Sequence, residues 1–169
     1  MPCDEATMSK MILLDQKACT GCRQCELMCS VHHTGTANPA RARIQVIKWE
    51  ADGFYLPMYC LQCMEPVCAA ACPKGAITRN NELGRVIINY NLCIGCMMCT
   101  LTCPFGAIGV DTQEKRVIKC NHCDGEPVCV SFCEAKALQY VDADTVHIAR
   151  KRQSSNSFTE FMSSQAKKI

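Results

Sequence analysis

The stretch CIGCMMCTLTCPFGAI, residues 93–108, places thiols at Cys93, Cys96, Cys99 and Cys103. Four thiols within eleven residues cannot all be packing, and as thiolates they are soft ligands for a metal. The set recurs three times. Cys19, Cys22, Cys25 and Cys29 form one quartet, Cys60, Cys63, Cys68 and Cys72 another, and Cys120, Cys123, Cys129 and Cys133 the last. Sixteen of the 17 cysteines are used, and Cys3 is left over. The quartets alternate in kind. The first and third share a GC pair and tight spacing, whereas the second and fourth share EPVC and a longer middle gap, as a duplicated two-quartet unit would.

This spacing points to iron–sulfur clusters of the [4Fe-4S] type. Three cysteines at steps of a few residues can wrap one corner of a cubane, each thiolate reaching a different iron. Gly21 and Gly95 let the backbone pass close to the inorganic sulfides and offer amide N–H groups to them. The fourth cysteine is expected to start a short helix and to reach the neighbouring cluster, with Pro73 and Pro104 at that helix start. Zinc is the weaker reading, because its sites draw one tetrahedral set from two separated knuckles. A redox dithiol would need one C-x-x-C pair, not four quartets.

Composition narrows the class. The cysteine density allows a disulfide scaffold or a metal protein. The start, MPCDEATMSKMILLD, shows neither a secretory signal nor a twin arginine, and no apolar run is long enough to cross a bilayer. The expectation is a chain of the reducing cytosol, with its thiols free for metal. The formal charge of +2 counts every thiol as neutral; four clusters at roughly −2 each would bring it to about −6. Neither value suits a nucleic-acid binder, and no basic stripe with interleaved aromatics is present. With 6% aromatic residues a large apolar core is not expected, so the inorganic sites would hold much of the fold.

The elements that must position these thiols are short. Residues 76–89 and 107–120 each read as a hairpin, with apolar runs around a polar turn, and residues 137–149 are expected to form a third. Between the first two quartets lies an insertion, residues 32–59. Its RARIQVIKW reads as a strand, ADG as a turn and FYLPMY as the returning strand. His32 and His33 read as polar loop contacts beside a cluster rather than as catalytic groups. Arg41 and Arg43 read either as a docking patch or as a solvated strand face, and Trp49 as surface packing or an interface. The tail has a capping-box pattern at Ser157 and Glu160 and a helical stripe of Phe158, Phe161, Met162 and Ile169, ending in Lys167 and Lys168. It predicts an amphipathic helix that covers its own domain, a partner or a second copy. Spacing alone leaves open whether quartets pair in sequence or nest, first with last.

These motifs resemble the four-cluster ferredoxin-like electron-transfer subunits of molybdenum and tungsten oxidoreductases, such as those of dimethyl sulfoxide reductase, formate dehydrogenase and respiratory nitrate reductase. The short chain and the HHTGTANPARARI segment look most like the small soluble members, including those paired with tungsten aldehyde oxidoreductases. The resemblance covers residues 12 to about 149. It implies an α+β fold of two nested bacterial-ferredoxin-like modules: an inner module over 60–110, an outer one joining 12–59 to 111–149, and a tail over 150–169. It also implies nested ligation. Cys19, Cys22, Cys25 and Cys133 would hold one cluster, and Cys120, Cys123, Cys129 and Cys29 another. Cys60, Cys63, Cys68 and Cys103 would hold a third, and Cys93, Cys96, Cys99 and Cys72 the fourth.

The implied function is one-electron transfer through four [4Fe-4S] clusters to or from a catalytic molybdenum or tungsten subunit. A flavin/NAD- or ferredoxin-linked subunit is a further implied partner, as is self-association through the tail. The rival reading is a free polyferredoxin shuttle serving a hydrogenase, carbon monoxide dehydrogenase or formate dehydrogenase. An enzyme in its own right is disfavoured, because every quartet is complete and no G-x-G-x-x-G or P-loop is present. A regulator is disfavoured too, because no DNA-binding element is seen.

Overall fold

Among the described residues, short alternating runs between the quartets become three two-stranded antiparallel sheets, and the runs that flank the quartets pair as a fourth. The structure, a computed structural model, describes residues 10–143, 145–147, 151 and 155. Strand β1 (Lys10–Leu14) opens it, followed by helix α1 (Gln24–Thr34), then β2 (Gln45–Trp49) and β3 (Phe54–Met58). Next come α2 (Val67–Ala70), β4 (Ile77–Asn80), β5 (Arg85–Ile88) and α3 (Met98–Thr102). The hairpin of β6 (Ile108–Asp111) and β7 (Arg116–Lys119), helix α4 (Val128–Ser131) and β8 (Leu138–Asp142) complete it. The fold is α+β, with the expected mixture of short helices and hairpins.

Two of the expected hairpins form. Strand β4 pairs with β5 from Ile77↔Ile88 to Asn80↔Arg85, and β6 with β7 from Ile108↔Lys119 to Asp111↔Arg116. The insertion also folds as read, with Gln45↔Met58 to Trp49↔Phe54 in register around a turn at Glu50–Asp52. The third hairpin does not form. Strand β8 pairs instead with β1, from Lys10↔Asp142 to Leu14↔Leu138, and residues 143 and 145–147 are helical. The alternation in 138–142 identifies a strand but not its partner. The hydroxyl of Thr145 donates to the Asp142 carbonyl at 2.8 Å, a local bond that helps turn the chain out of the extended path.

The helices begin earlier than expected. Cys68, Cys99 and Cys129, the third cysteines of their quartets, lie inside helices, whereas Cys103 is the C-terminal cap of α3 and Cys72 and Cys133 lie just beyond α2 and α4. Pro73 and Pro104 therefore sit in turns after the helix ends, where a residue that cannot continue a helix is suited. The prolines at helix starts are Pro66 and Pro127 of the two EPVC segments, which occupy the N-cap positions of α2 and α4. Helix α1 runs through His32 and His33, so these are helical residues and not loop residues.

Two cores result, both built partly from thiols. One gathers Ile12, Ile44, Val46, Tyr59 and Leu138 with Cys25, Cys29, Cys60, Cys120 and Cys129; the other gathers Ile77, Val86, Ile108 and Val117 with Cys68 and Cys99. Helix α1 packs on α4, and α2 on α3. The β6–β7 hairpin straddles residue 110, the expected edge of the inner module, and Val117 belongs to the second core. The proposed tail helix over 157–169 lies outside the described residues.

Neither Arg41 nor Arg43 lies on a strand, and Arg41 is not an exposed charge. Arg41 ends a 3₁₀ turn, Pro39–Arg41, and is buried. Its Nε donates to Asp111 Oδ2 at 2.7 Å and its Nη2 to Glu114 Oε1 at 2.5 Å, which ties the insertion to the β6–β7 hairpin. Arg43 donates to Asn121 Oδ1 at 3.0 Å. Trp49 is 45% exposed and meets Phe54 edge-on at 5.1 Å, across the β2–β3 pair.

Candidate iron–sulfur centres

The duplication seen in the cysteine spacing is repeated in the backbone. In the two tight quartets, Gly21 and Gly95 take φ +68° and +69°, and the residues just before the helices, Arg23 and Met97, take φ 62° and 61°. The left-handed turn delivers three thiols from one short loop to one side. Gly21 is required twice over, because a Cβ there would also lie 2.5 Å from the Tyr55 ring. At Gly95 the dihedral alone makes the demand, the nearest atom being 3.9 Å away.

Two cavities of nearly equal size, about 350 and 360 Å³, are lined by thiols from two quartets each. Cys93, Cys96 and Cys99 share one with Cys72, and Cys60, Cys63 and Cys68 share the other with Cys103. In the first core, α1 lies against α4 and brings Cys29 within electrostatic reach of Cys120, Cys123 and Cys129. Cys19 and Cys22 both lie within electrostatic reach of Cys25, and Cys133 packs against the same core. Cys3 lies outside the described residues.

The chemistry of this donor set fits a cluster. Burial pushes the Cys25 and Cys120 thiols up to about 12, and raises Cys29, Cys99 and Cys129 as well. Such thiolates are disfavoured unless cationic iron supplies the missing charge, which couples cluster binding to folding. Amide N–H groups already point at the sulfurs. Arg43 N donates to Cys29 Sγ at 3.2 Å, Ala76 N to Cys72 Sγ at 3.2 Å and His122 N to Cys120 Sγ at 3.4 Å. Around Cys72, burial raises the thiol, but the N–H groups of Lys74, Ala76, Ile77 and Gly75 outweigh it and leave it below its ordinary value. These are the bonds that stabilise cluster charge and tune potentials.

His33 Nε2 stands 3.7 Å from Cys123 Sγ, with His32 close by. Burial pushes the His33 imidazole down to about 4, aided by Arg43 and His32. A neutral imidazole beside this thiol makes a polar contact from a helix, not from a loop. Other residues at the site have no motif of their own. Glu26, 1% exposed, accepts from Val46 N at 2.5 Å and from Arg23 Nε at 2.6 Å, and so clamps α1 to β2. Gln62, inside the C-x-x-C of the second quartet, donates from Nε2 to the Cys120 carbonyl at 2.7 Å and joins the two cores. Only the position of Gln62 between two ligands could have marked it beforehand.

Thiol-lined cavities, amides aimed at sulfur and a twice-repeated loop define a multi-cluster ferredoxin-type protein. Models of the 4Fe-4S dicluster domain match residues 51–143 and 18–77, and the chain belongs to that family. YsaA of Escherichia coli K12, whose proposed role is electron transport, is 39% identical over 158 residues, spanning 86% of this chain and 98% of its own. One of the polypeptides of anaerobic dimethyl sulfoxide reductase from Haemophilus influenzae is 32% identical over 160 residues, 83% of this chain and 78% of its own. The polyferredoxin-like subunit of aliphatic sulfonate oxidoreductase from Pyrococcus furiosus is 36% identical over 122 residues, 72% of this chain and 70% of its own. Two dicluster domains amount to four [4Fe-4S] clusters, and the protein is an iron–sulfur electron-transfer subunit of the oxidoreductase type. Among the described residues no helix is long and apolar enough to cross a membrane.

Proposed function

We propose that this chain is the non-catalytic, cytoplasmic electron conductor of a molybdenum- or tungsten-cofactor oxidoreductase, such as an aldehyde oxidoreductase. It would pass single electrons between that enzyme's catalytic subunit and a flavin/NAD- or ferredoxin-linked acceptor. A bound [4Fe-4S] cluster supplies one-electron storage without breaking a ligand bond. The chain's own residues hold four such groups in a row. We assign the ligand sets as nested: Cys19, Cys22, Cys25 and Cys133; Cys120, Cys123, Cys129 and Cys29; Cys60, Cys63, Cys68 and Cys103; and Cys93, Cys96, Cys99 and Cys72.

The observation that carries this reading is the crossing of fourth cysteines, Cys72 into the cavity of the third quartet and Cys103 into that of the second. Crossed ligands place paired clusters back to back on one short helix pair. Cys120 acts on Cys60, which joins the two pairs in the middle of the row. Cys22 and Cys96, one in each outermost set, are exposed, so electrons can enter and leave at the two ends. In this arrangement residues 60 to the end of β7 form the inner module, and 12–59 with the remainder to about 149 form the outer one.

Cys29→Ser tests the assignment. It should alter the EPR signal of the cluster held by Cys120, Cys123 and Cys129. A spectral loss matching that of Cys60→Ser would establish sequential pairing instead. Anaerobic co-purification addresses the partner: a subunit elutes with a large molybdenum or tungsten protein, and a free shuttle elutes alone.

A further inference from the structure

Three cationic side chains are buried among the described residues, and they are not treated alike. Arg41 has Asp111 at 2.7 Å and Glu114 at 2.5 Å, and Arg85 has Asp124 at 3.2 Å. Lys119 is 3% exposed and has no carboxylate partner among the described residues. Its Nζ donates to the Cys120 carbonyl at 2.9 Å, to Gln62 Oε1 at 3.5 Å and to the Val86 carbonyl. Three acceptor oxygens match the three N–H bonds of an ammonium. Gln62 is locked in this orientation, because its Oε1 accepts from Val86 N at 2.8 Å while its Nε2 reaches Cys120 O.

A lone ammonium satisfied only by neutral oxygens is costly to bury. Its position shows where the compensating charge lies. Lys119 directly precedes Cys120, and Gln62 stands between Cys60 and Cys63, so the ammonium bridges two cysteine triplets from quartets far apart in the chain.

We propose that Lys119, positioned by Gln62, is the built-in counter-cation of the two middle clusters and sets their reduction potentials above the values they would otherwise take. Reduction adds one negative charge to a centre whose ligation does not change, and a fixed cation favours the reduced form. The effect is largest at the inter-module step, where two adjacent anionic centres would otherwise repel the electron. The inference rests on the four-cluster reading, but it refers only to the triplets Cys60, Cys63, Cys68 and Cys120, Cys123, Cys129, which are the same whichever way the fourth ligands pair.

The test is an EPR-monitored redox titration of the full chain, purified anaerobically, with signals assigned through Cys63→Ser, Cys123→Ser, Cys22→Ser and Cys96→Ser. Lys119→Met should lower both middle potentials so that the reduced-to-oxidised ratio at fixed potential falls about tenfold, about 59 mV for a one-electron couple. The two end clusters should hold their values. Lys119→Arg should retain the wild-type potentials, and Gln62→Glu, which gives the lysine an acid partner, should lower the same two. If Lys119→Met fails to assemble, Gln62→Glu decides by the same criterion. No shift, an equal shift of all four, or loss of clusters in both variants would overturn the proposal. An iron content well below sixteen per wild-type chain would instead mark failure of the four-cluster reading itself.

Discussion

Asp111 is 2% exposed and shares Arg41 with Glu114, and its side chain also accepts from the N–H groups of Gln113 and Glu114. Burial alone would raise its carboxyl, but the Arg41 guanidinium and those two N–H groups outweigh it and hold the group below its ordinary value. A depressed carboxyl pKa contributes stability above the unfolded value near 4, and that contribution is lost as the pH falls through the folded value. Fastening of the insertion to the β6–β7 hairpin should therefore weaken only in acid. Asp111→Ala is expected to cost about 2 kcal/mol, less than a fully orphaned buried charge would, because Glu114 still reaches Arg41. Anaerobic thermal melts at neutral pH and at about pH 3, below the unfolded carboxyl value, check both statements, the difference between variant and wild type shrinking at the lower pH. His33 contacts Cys123, and on the proposed reading it takes no part in chemistry, so the double change of His32 and His33 to Gln should leave iron content and partner turnover intact. Steady-state assay of the complex with full clusters would show otherwise.

At the scale of elements, the repeat makes a comparison within one chain possible. After the fourth cysteine, Gly75 and Gly106 both take φ +59°, and Lys136 takes φ 51° at the matching place in CEAKAL. A Cβ at Gly75 would meet nothing within 4 Å, so the left-handed backbone is the whole demand there. A side chain in that region costs about 1 kcal/mol. Lys136→Gly should raise the stability of the α4–β8 turn by about that amount, and Gly75→Lys should lower its counterpart by the same. The midpoints of anaerobic thermal unfolding for the two variants should move in opposite directions.

The molecule as a whole depends on its inorganic groups. Five of the twelve buried residues in the first core are cysteines, and two of the six in the second. Removing the clusters would leave buried thiols and gaps where each core now closes. Iron analysis should give about sixteen irons per chain, and chelation should abolish cooperative unfolding across both modules, read by circular dichroism. A form that retains its helices without iron would contradict this. Cys3→Ser should change neither value, since Cys3 belongs to no quartet. Deleting residues 153–169 should keep all four clusters and weaken assembly with a partner or a second copy. Light scattering on the intact and shortened chains, with and without the catalytic subunit, measures it.

The cysteine quartets, their repeat and the class of chemistry were legible in the sequence because the spacing is local: each quartet is written within fourteen residues or fewer. Two hairpins and the insertion were legible for the same reason, since alternation and a turn lie side by side. What only the tertiary structure decided depends on residues far apart in the chain. Alternation marked 138–142 as a strand, but its neighbour proved to be β1, at the other end of the chain, because pairing is set by which edges the packed cores bring together. Arg41 finds Asp111 across 70 positions, and Lys119 finds Gln62 across 57. Read in sequence, each is an ordinary surface charge. Only when two cores close around thiols does one arginine become a buried tie and one lysine a cation whose counter-charge must come from the clusters.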